Sequence, residues 1–147
     1  MRVHLDACCL SRLTDDQTQP RIREESEAIE KILAGVRLGT VNLISSEALQ
    51  DEARRNPSLE RRLEAEAFLS LATLTVEIDD RVVRRAQSLI GLRYSPFDAL
   101  HIAAAEAASV DVMLSTDDRL IKRLARGLGN PRIPVRNPVS WMKEQGL

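Results

Sequence analysis

Hydrophobic and polar positions along this chain switch repeatedly between a period of two and a period near 3.6. Arg2 to Leu5 reads as a short strand. Pro20 then stands at a first helical position, and Ile22, Ile29, Ile32, Leu33 and Val36 recur at helical spacing among acids and bases. That helix closes between Gly35 and Gly39, and Thr40 to Ile44 forms a second strand. Ser45 or Ser46 caps a short helix from Glu47 to Arg55, which stops before Asn56-Pro57. Pro57 opens another helix to about Leu71, with Leu59, Leu63 and Phe68 in its apolar set. Leu74 to Ile78 alternates as a strand would, Asp79 to Leu89 is helical, and Gly91 ends it. A helix begins at Ser95 and is alanine-rich from Ala99 to Ala108, a strand runs from Val110 to Leu114, and a helix from Asp118 to Arg126 ends at Gly127 or Gly129. Ile133 to Val135 and Pro138 to Glu144 close the chain as strand and helix. Strands separated by helices demand crossovers, and crossovers make strands parallel. The expected fold is α/β: a three-layer α/β/α sandwich around a central parallel sheet of four or five strands. No repeat, low-complexity tract or long linker divides the chain, so residues 1–147 are read as one domain.

Acids mark the junctions. Asp6 ends the first strand, Asp98 lies in Ser95-Pro96-Phe97-Asp98-Ala99-Leu100-His101 at a helix start, and Asp117 follows Ser115-Thr116 nineteen residues later. Singly, each suits a helix N-terminus as cap or first-turn acid. Together, in an open parallel sheet, they gather on the edge where strands exit and ligands bind. Carboxylates brought together either hold a hard cation or repel one another. A fourth acid is expected from the helix after the second strand. Glu52 shares a face with Ala48 and Leu49, whereas Glu47 and Asp51 lie on another, so Glu52 is the inward candidate. His101, three residues after Asp98, is expected as a partly exposed helix residue, His4 as a structural strand residue, and Asp15 and Asp16 as a solvated loop.

Composition narrows the chemistry. Aromatics are 3% of residues, so the core is aliphatic and base-stacking platforms are disfavoured. Net charge is −1, which gives no global field toward nucleic acid, yet 18 of the 21 basic residues are arginine, suited to phosphate. Arg12, Arg21, Arg23 and Arg119 flank the acidic segments. Cys8 and Cys9 are adjacent and have no other thiol to pair with, which points to a reduced, cytoplasmic chain; the histidines lack zinc-ligand spacing. No apolar run is long enough to span a membrane, and the early charged residues do not read as a signal peptide.

Leu5-Asp6-Ala7, the segment from Ser95 to His101, and Leu114-Ser115-Thr116-Asp117 together resemble the PIN-domain family over nearly the whole chain. The resemblance implies that Asp6, Glu52, Asp98 and Asp117 are catalytic and bind metal, that the cofactor is Mg²⁺ or Mn²⁺, and that the substrate is RNA. Many small bacterial members are toxins held by a cognate antitoxin. Ser45, Ser115 and Thr116 match polar positions around the family's acidic cluster. Many members carry a hydroxyl just after the first acid, where this chain has Ala7, Cys8 and Cys9. Oxygen donors without nitrogen or sulfur agree with a hard cation that activates water against a phosphodiester. The rival reading is a catalytically weak or inactive PIN-like module that binds RNA or a protein partner. A phosphoryl-accepting receiver domain is disfavoured because Lys122 and Lys143 sit in helices, and a dehalogenase-type phosphatase because Cys8 stands where a second acid is needed. The apolar content of the helices between Pro20 and Leu71 exceeds what one small core needs, so a homodimer is expected.

Overall fold

The computed structural model describes residues 1–146. Its elements are β1 (Arg2–Leu5), α1 (Ala7–Ser11), α2 (Pro20–Leu38), β2 (Asn42–Ser46), α3 (Glu47–Arg54), α4 (Leu59–Leu69), β3 (Leu74–Val76), α5 (Asp80–Ile90), α6 (Pro96–Ala107), β4 (Val112–Leu114), α7 (Asp118–Ala125), β5 (Val135–Arg136) and α8 (Pro138–Glu144). Five strands form one sheet in the order β3-β2-β1-β4-β5. Every neighbouring pair is parallel, with Val3 opposite Leu43 on one side of β1 and Val112 on the other. The expected three-layer architecture is the one observed.

The alternation inside β1 separates the two layers. Val3 and Leu5 point into a cluster with Cys9, Leu10, Ile29, Ile32, Phe68, Leu69, Trp141 and Met142, from α1, α2, α4 and α8. On the other face Ile44 and Met113 meet Val82, Ala86, Leu89, Ile102, Leu120 and Leu124, from α5, α6 and α7. A parallel sheet covered on both faces needs continuous apolar strands, and Leu43-Ile44 and Val112-Met113-Leu114 supply them. In α6, Ala99, Ala103, Ala104 and Ala105 are buried, and such small side chains allow close approach to the sheet and to α5.

Several boundaries differ from the sequence expectation. β2 starts at Asn42 rather than Thr40, because Gly39 takes a left-handed φ of 80° and the amides of Thr40 and Val41 both bond to Gly35 O. Those two residues complete the helix end instead of the ladder. α4 starts at Leu59 because Ser58, not Pro57, supplies the cap, accepting from Arg61 N at 3.3 Å. β5 is Val135–Arg136 because Pro134 accepts from Met113 N at 3.0 Å but has no N–H to return. The short helix α1 follows Asp6 directly, in keeping with the capping role that the sequence allowed this acid.

One buried acid ties the α2 layer together. Glu25 is 1% exposed; its Oε1 accepts from Arg12 Nε at 2.9 Å, and its Oε2 accepts from Asn137 Nδ2 at the start of α8. Removing it leaves the part-buried Asn137 amide and the Nε edge of Arg12 without this partner, although Arg12 keeps Asp15. Glu25→Ala is expected to lower unfolding stability by roughly 3–5 kcal/mol, measured as a shift in urea midpoint at constant slope; a shift under about 1 kcal/mol would show that these groups find water instead.

Candidate active site

All strand exits lie on one edge, and the candidate acids stand there. Asp6 has extended backbone, with φ −80° and ψ 173°, and caps α1. Its Oδ1 accepts from Cys9 N at 3.2 Å and from Cys8 Sγ at 2.7 Å. Burial pushes the Asp6 carboxyl well above the usual carboxylate range, and the neighbouring Cys8 adds to the shift. The Ser115 hydroxyl and the Cys9 amide oppose it only in part. Cys8 also accepts from Thr116 N at 3.3 Å and lies 3.5 Å from Ser115 Oγ, so its thiol joins the exit of β1 to that of β4. Sequence reasoning gave Cys8 no role. Its signal was position: two residues past an N-cap acid, a side chain in the first turn reaches back to the cap.

Asp98 sits in the first turn of α6, where Ser95 is the N-cap and accepts from Asp98 N at 3.2 Å. Burial raises the half-buried Asp98 carboxyl above its ordinary range; the Ser95 hydroxyl and His101 pull it down, while Asp117 and Glu52 push it further up. Glu52, on α3, lies against α6 with Oε1 3.3 Å from His101 Nε2. Glu47 lies away from it, exposed, and its Oε1 accepts from Ile78 N at 2.7 Å, which pins the connection between β3 and α5. Asp117 caps α7: its Oδ1 accepts from Arg119 N and Leu120 N, at 3.0 and 3.3 Å. Asp98 and Asp117 line one cleft of about 220 Å³ with Arg93, Ser95, Arg119, Leu120 and Arg123.

The four acids ring this edge without closing on one another. Among the described residues, the His, Cys, Asp and Glu donor atoms that form a group of three or more within 4.8 Å belong to Asp6, Cys8 and Cys9. Asp98 senses Asp117 and Glu52 electrostatically, but the three do not form so close a group. The donors that face the cleft are carboxylate oxygens, a set that fits a hard divalent ion.

His101 departs from expectation. It is buried at 1% exposure, because both α5 and the sheet cover α6, and it stacks on Phe97 with centroids 6.0 Å apart. His4 lies behind it, centroids 6.1 Å apart, with Nδ1 donating to Ile44 O at 2.8 Å. Asp15 is not solvated either: Arg12 Nη1 and Arg61 Nη2 each contact it at 2.7 Å. Arg21 forks onto Asp118 and donates to Thr116 O at 3.0 Å. Arg12 and Arg21 are therefore committed to ion pairs.

The sequence profile described as PIN domain matches residues 3–127. Two solved structures share the fold. VapBC2 from Rickettsia felis, bound to a DNA fragment from its promoter, is 12% identical, with a TM-score of 0.58 over 92% of this chain and 98% of that one. VapBC-1 from nontypeable Haemophilus influenzae is 12% identical, with a TM-score of 0.59 over 94% and 98%. No curated protein sequence matches the chain.

His4 makes the fold acid-sensitive in a way that can be isolated. Burial, and then His101, lower its pKa from 6.5 to about 4. Above 6.5 the folded and unfolded states both carry neutral His4 and nothing changes. Below it, the unfolded chain takes up a proton that the folded chain refuses, so stability falls as pH drops toward 4. The raised carboxyl of Asp6 contributes a slope of opposite sign, but it is common to both proteins when wild type is compared with His4→Gln. Wild type is expected to lose roughly 3 kcal/mol relative to the variant across that window, read from urea midpoints. A pH-independent difference would mean that His4 protonates freely in the fold.

Proposed function

The chain belongs to the PIN-domain family, and from that premise we propose that it is a metal-dependent endoribonuclease. It hydrolyses RNA phosphodiesters at Asp6, Glu52, Asp98 and Asp117, and it is the toxin of a toxin–antitoxin pair. The observation that carries the reading is Asp98. Its carboxylate is half-buried, its charge is disfavoured by burial and by two further acids, and its helix is already capped by Ser95. A fold does not need a carboxylate there, whereas a cation site does. The likeness to two VapBC structures supports the toxin–antitoxin part.

Mg²⁺ or Mn²⁺ held by these acids would lower the pKa of a bound water and offset charge on the leaving oxygen. The chain's own residues prepare the donors. Ser46 caps α3, accepting from Leu49 N at 3.0 Å, and starts the helix in the register that presents Glu52 to α6. His101 Nε2 orients the Glu52 carboxylate. Asp6 and Asp117 take their cap amides on Oδ1, so Oδ2 is the oxygen each has for a ligand. A weakly active or inactive module that binds RNA or a protein is the second reading. It is favoured by one fact: the donor atoms gathered most closely, those of Asp6, Cys8 and Cys9, include two sulfurs, which suit Mg²⁺ or Mn²⁺ poorly. Leu59 and Leu63, one turn apart on α4 and 61% and 55% exposed, support a homodimer.

Cleavage of a labelled single-stranded RNA with Mn²⁺ tests the enzyme reading. EDTA is expected to abolish it. Asp98→Asn and Glu52→Gln should each cut the rate by on the order of 10²–10³-fold, the scale of losing one charge-stabilising group at a reaction centre. Asp98→Asn should also raise the stability of metal-free protein, because it removes a charge the fold penalises. Glu47→Gln keeps an acceptor for Ile78 N, so cleavage should be unchanged and the stability cost below about 1 kcal/mol. Cleavage that survives EDTA or Asp98→Asn would sink the reading; RNA binding without cleavage would favour the inactive module. For the dimer, light scattering at high micromolar concentration should give twice the chain mass, reverting to one with Leu59→Arg and Leu63→Arg combined. A wild-type monomer would remove it.

A further inference from the structure

Resting on the reading of the acids as a site for an RNA phosphodiester, we propose that the RNA strand leaves that site along the start of α7, with its backbone phosphates seated on Arg93, Arg119 and Arg123. The argument begins with charge. Around the strand exits, Arg12 is bound to Asp15 and Glu25, Arg21 to Asp118 and Glu25, and Arg61 to Asp15. None of these has its charge free for a phosphate. Arg93, Arg119 and Arg123 form no ion pair within 4.0 Å among the described residues, and they wall the cleft that holds Asp98 and Asp117. Arg23 on α2 and Arg62 on α4 also lack an ion pair among the described residues, but neither lines this cleft, so the uncommitted arginines next to Asp98 and Asp117 are those of this wall.

Two further observations show that this wall is constructed. Arg123 donates from Nη1 to Arg93 O at 3.0 Å and from Nη2 to Leu92 O at 2.8 Å, and its guanidinium lies 4.3 Å over the Tyr94 ring. These contacts fix its position without neutralising it, so a phosphate meets a preorganised cation. Arg93 holds a φ of 73°, in the left-handed region that non-glycine residues adopt at a cost on the order of 1 kcal/mol. Glycine would fit that turn without strain. The arginine that stands there instead puts a long cationic side chain on the cleft wall.

A second arginine cluster provides the control. Arg81, Arg84, Arg85 and Arg132 surround a larger cleft of about 610 Å³ with Glu106 and Ser109. Ser109-Val110 and Ile133 precede β4 and β5, so this cleft lies at the strand starts, opposite the acids. Its charge is partly cancelled by Glu106, 3.0 Å from Arg85 and 3.9 Å from Arg132. Charge count alone would favour it; proximity to the acids favours the α7 wall.

The test is the salt dependence of binding of a fluorescein-labelled single-stranded RNA dodecamer, read by anisotropy with Ca²⁺ in place of Mn²⁺. Each phosphate contact contributes about 0.7 to the slope of log K against log salt for a single strand. Arg93→Gln with Arg119→Gln should lower the slope by about 1.4, and Arg81→Gln with Arg84→Gln should leave it unchanged. The inference is overturned if the second pair changes the slope and the first does not, or if the RNA does not bind. It is also overturned if a glutamate-rich peptide of equal charge binds as tightly and loses that binding in Arg93→Gln with Arg119→Gln, since the wall would then serve an acidic protein segment. Binding read this way is independent of turnover: a wild-type protein that binds on this wall but does not cleave would remove the enzyme reading and leave the RNA path standing.

Discussion

Parallel pairing of β1 with β2 and β4 is the constraint from which the rest follows. It puts the exits of Leu5, Ser46 and Leu114 on the same edge, and each exit leads within a few residues into a helix start. Helix starts favour short polar and acidic residues, because four amides there lack intrahelical partners. Asp6, Ser46 and Asp117 are accordingly caps as well as edge residues. Capping and a functional role for these acids are not alternatives here. The cap holds one carboxylate oxygen of Asp6 and of Asp117 in place and leaves the other without a cap amide.

That arrangement has an electrostatic cost, visible in the raised carboxyls of Asp6 and Asp98. The structure contains it locally. The Ser95 hydroxyl and His101 draw the Asp98 carboxyl back down, and the Ser115 hydroxyl and the Cys9 amide do the same for Asp6. None of these groups is an arginine in direct contact. A guanidinium bridging these carboxylates would relieve the repulsion and also fill the place of a cation. On the α2 side, where no such place is needed, Asp15, Glu25 and Asp118 are paired with arginines at close range.

The sequence made the layer order, the all-parallel sheet and the positions of Asp6, Asp98 and Asp117 legible, because each depends on local signals: a strand's apolar run, a cap, a proline at a first turn. Placing Glu52 on the inward face required only the periodicity of one short helix; that α6 is what it meets there was not legible. What was not legible depends on contacts between distant segments. Periodicity in α6 cannot reveal that α5 and the sheet cover it on both sides, so His101 was expected at the surface. The bond from Cys8 to Asp6 needs the β4 exit beside it before the thiol is held in place. Thr40 looked like strand because Gly39 hides how far a left-handed cap reaches past the helix. Arg12 and Arg21 lie beside acidic segments in sequence, yet their partners, Glu25 and Asp118, are set by how α2 packs.

With a net charge of −1 and 18 arginines, the molecule has no overall field to attract a polyanion, and it does not need one. Screening limits such a field to about 8 Å at physiological salt, which is also the scale of a single cleft. What matters at that range is which arginines are left without carboxylates. Structural pairing uses Arg12, Arg21 and Arg61 on the α1, α2 and α4 side and leaves Arg119 and Arg123 on α7, next to Asp98 and Asp117. Opposite charges in one cleft attract, yet the arginines of this wall form no ion pair with Asp98 or Asp117 within 4.0 Å among the described residues. The geometry prevents that pairing: Arg123 is held on backbone carbonyls, and Asp117 on backbone amides. On the proposed reading both charges are kept for something outside the chain, and a phosphate with a divalent cation would supply the complement to each.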